Sequence, residues 1–156
     1  QEYIINLQGD EPFIDPKDII NLNKSVISKN SDIGTLGNKL TKFDFANNNI
    51  VKVITEKNII KKKISRAKEF LRICNHNKKN IFGHIGIYQF RTYILEKFVD
   101  LKQSKNEIKY KLEQLRALEN GINIDVVYSK NKSFGIDTVE DYVEIKKIME
   151  YKIKKL

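Results

Sequence analysis

The chain contains few of the residues that mark specialised classes of protein. Of its 156 residues, one is cysteine, two are proline, seven are glycine and none is tryptophan. A single cysteine, Cys74, excludes an internal disulfide and a CxxC motif, and it predicts a reducing, cytoplasmic compartment. The composition also excludes a collagen-like fibre and a disordered tail. Because there is no run of eighteen apolar residues, we expect no membrane span.

Arginine is scarce although the chain is basic. Lysine and arginine total 29 against 20 acidic residues, a formal net charge of +9, yet only four of the basic residues are arginine. Bidentate recognition of phosphate or guanine favours arginine, so we expect no nucleic-acid partner. The abundance of lysine, isoleucine and asparagine, whose codons are AT-rich, indicates a compositional bias of the genome. A role of the basic surface in binding an anionic ligand stays open as the alternative.

Strand-like and helical patterns alternate along the chain, which predicts an α/β fold. Asp15 and Pro16 are typical of a helix start, and Gly121 is typical of the residue after a helix end. The sequence predicts a loop at 43–49 and irregular structure at 67–80. Strands are predicted at 3–7, 33–40, 51–54, 58–65, 81–90 and 122–128, the first of them buried. Helices are predicted at about 16–29, 92–100, 106–120 and from 138 to the end.

Two aspartates stand where metal ligands are found in α/β proteins. Asp10 lies in the segment Gln8-Gly9-Asp10-Glu11-Pro12, directly after the first predicted strand, and ligands bind beyond the carboxyl ends of strands. Mg²⁺ prefers such carboxylate oxygens. The alternative for this segment is a tight turn built on Gly9 and Pro12. Asp137 precedes the last helix and is a second candidate ligand, with a plain helix cap as its alternative.

A third segment, the predicted strand at 81–90, combines polar and aromatic side chains. Alternation puts His84, Gly86 and Tyr88 on one face, and the glycine would leave room for a sugar or carboxylate ligand. The alternative is a half-buried strand with a hydrogen-bonded histidine. Glu113 and Gln114 sit beside the apolar stripe of their helix, where they could point into a cleft.

Taken together, these segments resemble one family, the 3-deoxy-manno-octulosonate cytidylyltransferases, or CMP-Kdo synthetases. The matching pieces appear in the family's order and at about its spacing. They are Asn6-Leu7-Gln8-Gly9-Asp10-Glu11-Pro12, Val51-Lys52-Val53, Ser65-Arg66-Ala67, His84-Ile85-Gly86-Ile87-Tyr88 with Arg91, Leu112-Glu113-Gln114-Leu115-Arg116, and Gly135-Ile136-Asp137-Thr138 with Glu140-Asp141.

The resemblance implies a nucleotide-diphospho-sugar transferase-like fold, with a Rossmann-like mixed sheet flanked by helices. It implies transfer of CMP from CTP to the acid sugar Kdo with release of pyrophosphate, Mg²⁺ as cofactor, and a homodimer. Asp10 and Asp137 match metal-binding aspartates. An acid sugar needs hydrogen-bond donors, and His84, Tyr88 and Arg66 can donate. The positions that match the sugar pocket are Gln8, Arg66, His84, Tyr88, Glu113 and Gln114.

The chain begins with Gln1 and enters a strand-like stretch at once. We interpret residues 1–156 as the C-terminal portion of a single cytidylyltransferase domain, because the family's N-terminal nucleotide-binding loop has no counterpart here. On this interpretation the isolated chain is expected to be inactive. Two alternatives are a cytidylyltransferase for another acid sugar, such as a nonulosonate, and a basic binding domain without enzymatic activity.

Overall fold

The computed structural model describes residues 2–74, 78–131, 135–136 and 138–153, in which strands and helices alternate as the sequence predicts. The strands are β1 (Tyr3–Leu7), β2 (Ile33–Asn38), β3 (Lys52–Thr55), β4 (Ile64–Leu71), β5 (Ile81–Arg91) and β6 (Ile124–Tyr128). The helices are α1 (Pro16–Lys29), α2 (Lys42–Ala46), α3 (Ile59–Lys62), α4 (Thr92–Asp100), α5 (Lys105–Tyr110), α6 (Gln114–Glu119) and α7 (Val139–Ile153). The helices in these ranges are too short or too polar to span a lipid bilayer.

The strands form one mixed sheet in the order β1-β5-β2-β6-β4-β3, and β3 pairs with β5 as well. The β2–β6 pair is parallel and the other pairs are antiparallel. Gly83 of β5 faces both Asn38 of β2 and Lys52 of β3. Since a residue has one partner on each edge of its strand, β3 lies on the edge of β5 opposite β2. The same edge carries β1, which pairs with residues 87–91. The long strand β5 therefore pairs with three strands, with β2 along one edge and with β1 and β3 along the other.

Helix α1 begins as the sequence predicts. The side chain of Asp15 accepts a hydrogen bond from an amide of the first turn, and the helix ends at Asn30, whose φ is 57°. Leu22 and Val26 are fully buried on the face that covers the sheet. A Cβ atom at Gly34 of β2 would collide with Val26, so the glycine permits the close approach of α1 to the sheet.

Apolar side chains cover both faces of the sheet, as expected when helices flank a sheet. The smaller core lies between the sheet and α1. It comprises the buried residues Leu22, Val26, Leu36, Ile85, Ile87 and Val127. The larger core includes residues of α4 and α6. Among its buried members are Phe70, Phe90, Ile94, Phe98, Leu115, Ala117 and Val126.

The prediction of a buried first strand is wrong. The side chains of β1 are largely exposed, with Ile5 at 38% and Leu7 at 47% relative exposure. Within the described residues, β1 pairs with β5 alone and lies at the edge of the sheet. An apolar run identifies a strand but does not say what packs against it, which is why its burial was misjudged.

Four further predictions of secondary structure are corrected. The loop predicted at 43–49 contains α2, and the strand predicted at 58–65 is α3 followed by the start of β4. Strand β4 extends to Leu71, so the region predicted to be irregular is ordered there. The helix predicted at 106–120 is two helices, since Lys111 takes a left-handed conformation with φ of 53°. Gly121 has φ of 71°, as expected for the residue after a helix end.

Candidate active site

A cleft of about 330 Å³ opens where β1 and β3 separate along the edge of β5. Beyond the end of β1, the Gln8 amide donates to the Gly86 carbonyl at 3.3 Å. Just before β3, the His84 amide donates to the Val51 carbonyl at 2.8 Å. The loop after β1, the approach to β3 and the middle of β5 therefore meet at one place.

The cleft brings together most of the predicted site residues. Those that line it are Gln8, Asp10, His84, Tyr88, Glu113 and Gln114. Arg66 does not line it, because it lies exposed on β4. Asp137 lies outside the described residues. Its neighbour Gly135 lines the cleft, and the Ile136 amide donates to the Asp10 carbonyl at 2.9 Å.

His84 and Tyr88 lie on one face of β5, as the alternation predicts. Their ring centroids are 5.4 Å apart, and Phe70 packs edge-on against His84 at 5.3 Å. Burial lowers the pKa of His84 from 6.5 to about 4, so its imidazole is neutral at pH 7. Burial, together with the carboxylates of Glu113 and Glu11, raises the pKa of Tyr88. The Tyr88 hydroxyl therefore stays protonated and can donate a hydrogen bond.

We expected Gly86 to leave room for a ligand, but the side chains of Gln8 and Glu11 fill the space beside it. A Cβ atom there would collide with Oε1 of Gln8 and would lie 3.2 Å from Oε1 of Glu11. The Glu11 carboxylate also accepts the Gly86 amide proton at 2.9 Å. The glycine thus lets the loop after β1 fold its polar side chains onto β5, between His84 and Tyr88.

A cation that the sequence analysis did not single out lies in the cleft. Arg72 follows β4, and its guanidinium donates to the carbonyls of Tyr110 at 3.2 Å and Lys111 at 3.3 Å. The fully buried ammonium of Lys52 donates to the carbonyls of Asn47 at 2.5 Å and Arg72 at 2.9 Å. Burial lowers the pKa of Lys52. Lys52 and Arg72 together join three segments that form one wall of the cleft.

Glu113 and Gln114 reach the cleft through the break between α5 and α6. The helices are joined by a bidentate pair in which Arg116 donates to the Glu107 carboxylate at 2.9 and 2.6 Å. Both side chains of this pair are nearly buried, at 12% and 6% exposure. This pairing lowers the pKa of Glu107. The ion pair therefore fixes the turn that carries Glu113 and Gln114.

Several polar residues of the cleft were missed as site residues. They are Glu11, Asn38, Asp44, Asn49, Arg72 and Lys111. Glu11 directly follows Asp10, the candidate metal ligand, so its position in the sequence could have identified Glu11 as a site residue. The remaining five come from parts of the chain that only the fold brings together. With four carboxylates and two cations, the cleft suits a ligand that carries hydroxyl groups as well as an acidic group.

Comparison with known proteins gives matches along almost the whole chain. The family model described as cytidylyltransferase matches residues 1–150. The 3-deoxy-manno-octulosonate cytidylyltransferase of Thermodesulfovibrio yellowstonii is 44% identical over 145 residues, which are 88% of this chain and 56% of that protein. The protein of the same name from Bartonella bacilliformis is 39% identical over 148 residues, 94% of this chain and 60% of its own length. The chain thus spans less than two thirds of these relatives.

Solved structures agree with this match. The structure of CMP:2-keto-3-deoxy-manno-octonic acid synthetase complexed with CTP superposes with a TM-score of 0.83 at 28% identity, covering 97% of this chain and 63% of that one. UDP-glucose pyrophosphorylase complexed with UDP-glucose superposes with a TM-score of 0.68 at 16% identity, covering 97% of this chain and 57% of that one. The second likeness shows a shared nucleotide-diphospho-sugar transferase fold.

Proposed function

Because this chain belongs to the cytidylyltransferase family, we propose that it carries the sugar side of an enzyme that transfers CMP from CTP to Kdo. Pyrophosphate is the second product, and the activated sugar serves lipopolysaccharide assembly. One observation carries the proposal. A carboxylate from the loop after β1, a neutral histidine and a protonated tyrosine from β5, and Glu113 with Gln114 converge on one cleft.

An acid sugar presents a carboxylate and several hydroxyl groups, and the cleft offers a partner for each. The Tyr88 hydroxyl donates, and the amide of Gln114 both donates and accepts. We assign the sugar carboxylate to Arg72 in place of Arg66, because Arg72 lines the cleft and Arg66 does not. A guanidinium has five N–H groups, so Arg72 keeps donors beyond those that hold the backbone carbonyls.

We assign Asp10 and Asp137 to a Mg²⁺ ion that binds together with CTP. Mg²⁺ needs only one or two protein carboxylates, since waters and substrate phosphates complete its shell. Asp10 lines the cleft. The Ile136 amide donates to the Asp10 carbonyl, so the residue before Asp137 lies next to Asp10. The described residues contain no cluster of three or more metal-ligating side chains. A bound Mg²⁺ would offset the negative charge of the triphosphate.

We also propose that the enzyme acts in the cytoplasm as a homodimer. The single cysteine is consistent with a reducing compartment. The family resemblance supports the dimer. Light scattering coupled to gel filtration measures the mass directly, and a monomer across micromolar concentrations contradicts this part of the proposal.

The test is pyrophosphate release from CTP and Mg²⁺ by the protein expressed from its intact gene, with Kdo and a nonulosonate as competing sugars. We expect turnover with Kdo. Asp10→Asn should lower turnover about a hundredfold or more, because an amide is a poor ligand for Mg²⁺. Asp100→Asn, at an exposed carboxylate on α4, is the matched control and should keep wild-type turnover.

Each alternative has its own outcome in this assay. Preference for the nonulosonate would assign the enzyme to another acid sugar. Wild-type turnover in Asp10→Asn would refute the metal assignment. Absence of turnover together with salt-sensitive binding of RNA would favour a basic binding domain.

A further inference from the structure

A buried threonine makes contact with the imidazole of His84 from behind the cleft. Thr35 lies in β2 and is fully buried. Its hydroxyl oxygen is 2.9 Å from Nε2 of His84, 2.7 Å from the Ile87 carbonyl and 3.3 Å from the Ile85 carbonyl. The pairing of β2 with β5 shifts register immediately after Thr35, which turns these carbonyls toward its side chain.

The direction of these hydrogen bonds follows from counting protons. A hydroxyl has one proton, and a carbonyl oxygen can only accept. The 2.7 Å contact with Ile87 is therefore a bond that Thr35 donates, since the two oxygens would otherwise repel each other. What remains on the Thr35 oxygen is a lone pair. It accepts the proton of Nε2 on His84, which is then an Nε2–H imidazole.

The opposite nitrogen of this ring is left as an acceptor. A neutral imidazole protonated on Nε2 carries a lone pair on Nδ1. Within the described residues, Nδ1 makes no hydrogen bond and is not fully buried, and His84 lines the cleft. The rings of Phe70 and Tyr88 both contact the imidazole, with centroids 5.3 and 5.4 Å from its own. His84 thus presents an acceptor to the cleft, whereas the sequence suggested a donor.

We propose that Thr35 is a positioning residue that fixes His84 as the Nε2–H tautomer, so that Nδ1 accepts a hydrogen bond from a hydroxyl group of the sugar. The inference rests on the proposed function for the identity of the ligand. It distinguishes the roles of two neighbours on β5, because Tyr88 donates to the sugar and His84 accepts from it.

The tautomer can be measured without turnover. In protein labelled with ¹⁵N-histidine, long-range ¹H–¹⁵N correlation spectra show which ring nitrogen is protonated, and His76→Gln assigns the two histidines. We expect His84 to show a protonated Nε2 and a bare Nδ1 at pH 7. Thr35→Val should abolish this single form and give the other tautomer or a mixture. Thr35→Ser, which restores the hydroxyl, should recover it.

The ligand part is measured by adding Kdo. We expect the Nδ1 resonance to shift, and Thr35→Val to raise KM for Kdo about tenfold with little change in KM for CTP. A wild-type Nδ1–H tautomer overturns the inference even if Thr35→Val fails to fold. An Nδ1 resonance unmoved by saturating Kdo also overturns it. If Nδ1 responds to Kdo but no pyrophosphate is released, the proposed function fails and this inference holds.

Discussion

Acid should destabilise the protein through His84, and the size of the effect follows from its pKa. The folded chain holds this pKa at about 4, whereas an unfolded histidine titrates near 6.5. Between these values the unfolded chain binds a proton that the folded chain does not, so stability falls as pH decreases. The difference corresponds to about 3 kcal/mol lost from pH 7 to pH 4. That is a large part of the 5–15 kcal/mol typical of a domain.

The assay is urea unfolding from pH 7.5 to pH 4 in a His76→Gln background, which leaves His84 as the only histidine of residues 1–156. His84→Gln is the comparison, because its amide can still donate to Thr35 but does not titrate. Between pH 7.5 and pH 4, the parent should lose about 3 kcal/mol more unfolding free energy than the His84→Gln variant. Protonation of Glu107 in acid destabilises both proteins equally, so it cancels when the two curves are subtracted. Parallel curves over this range would refute the assignment of a buried, neutral imidazole.

Gly34→Ala and Glu107→Gln test the contacts that support the site, and Gly9→Ala is the control for the first. Gly34→Ala should cost about 1–3 kcal/mol of unfolding free energy by urea denaturation, because the new Cβ collides with the buried Val26. Gly9→Ala, with no atom within 4 Å of its new Cβ, should change stability by less than about 0.5 kcal/mol, and equal losses would contradict this account. Glu107→Gln should cost about 3 kcal/mol, since it removes the buried carboxylate of the bidentate pair and leaves Arg116 only the longer, exposed contact with Glu113.

The control for the Glu107 prediction is an exposed ion pair. Lys78 and Glu69 are 2.9 Å apart, with both side chains nearly half exposed. Water and salt screen such a pair, so Lys78→Gln should lower the unfolding free energy much less than Glu107→Gln does. A loss at Lys78 as large as that at Glu107 would contradict the importance of burial.

Local signals in the sequence predicted the parts of the fold that depend on local structure. Asp15 marks the start of α1, and Gly121 marks the end of α6, because each solves a hydrogen-bonding or backbone problem within one turn. The break at Lys111 carries no such signal, since lysine seldom adopts a positive φ. The exposure of β1 was also beyond reach, because it depends on what packs beside the strand.

The candidate site was predicted to the extent that short motifs carry it. Asp10, His84 and Tyr88 were identified, and the fold brings them together in one cleft. Arg72 was missed because it lies in the segment 67–80, which shows no recognisable pattern. The motif that drew attention to Arg66 ends before it. The contact of Thr35 with His84 joins residues 49 positions apart, and no spacing rule predicts it.

The position of β5 has a consequence for the order of folding. The hydrogen bond between Glu11 and Gly86 closes 75 residues of chain, and the pairing of β1 with β5 closes more. Closing such loops costs entropy before any contact compensates for it, so long-range pairing is slow. Helices such as α1 and α4 can form early from local contacts. The cleft can form only after β5 has docked, and a partly folded chain would therefore have helices but no ligand site.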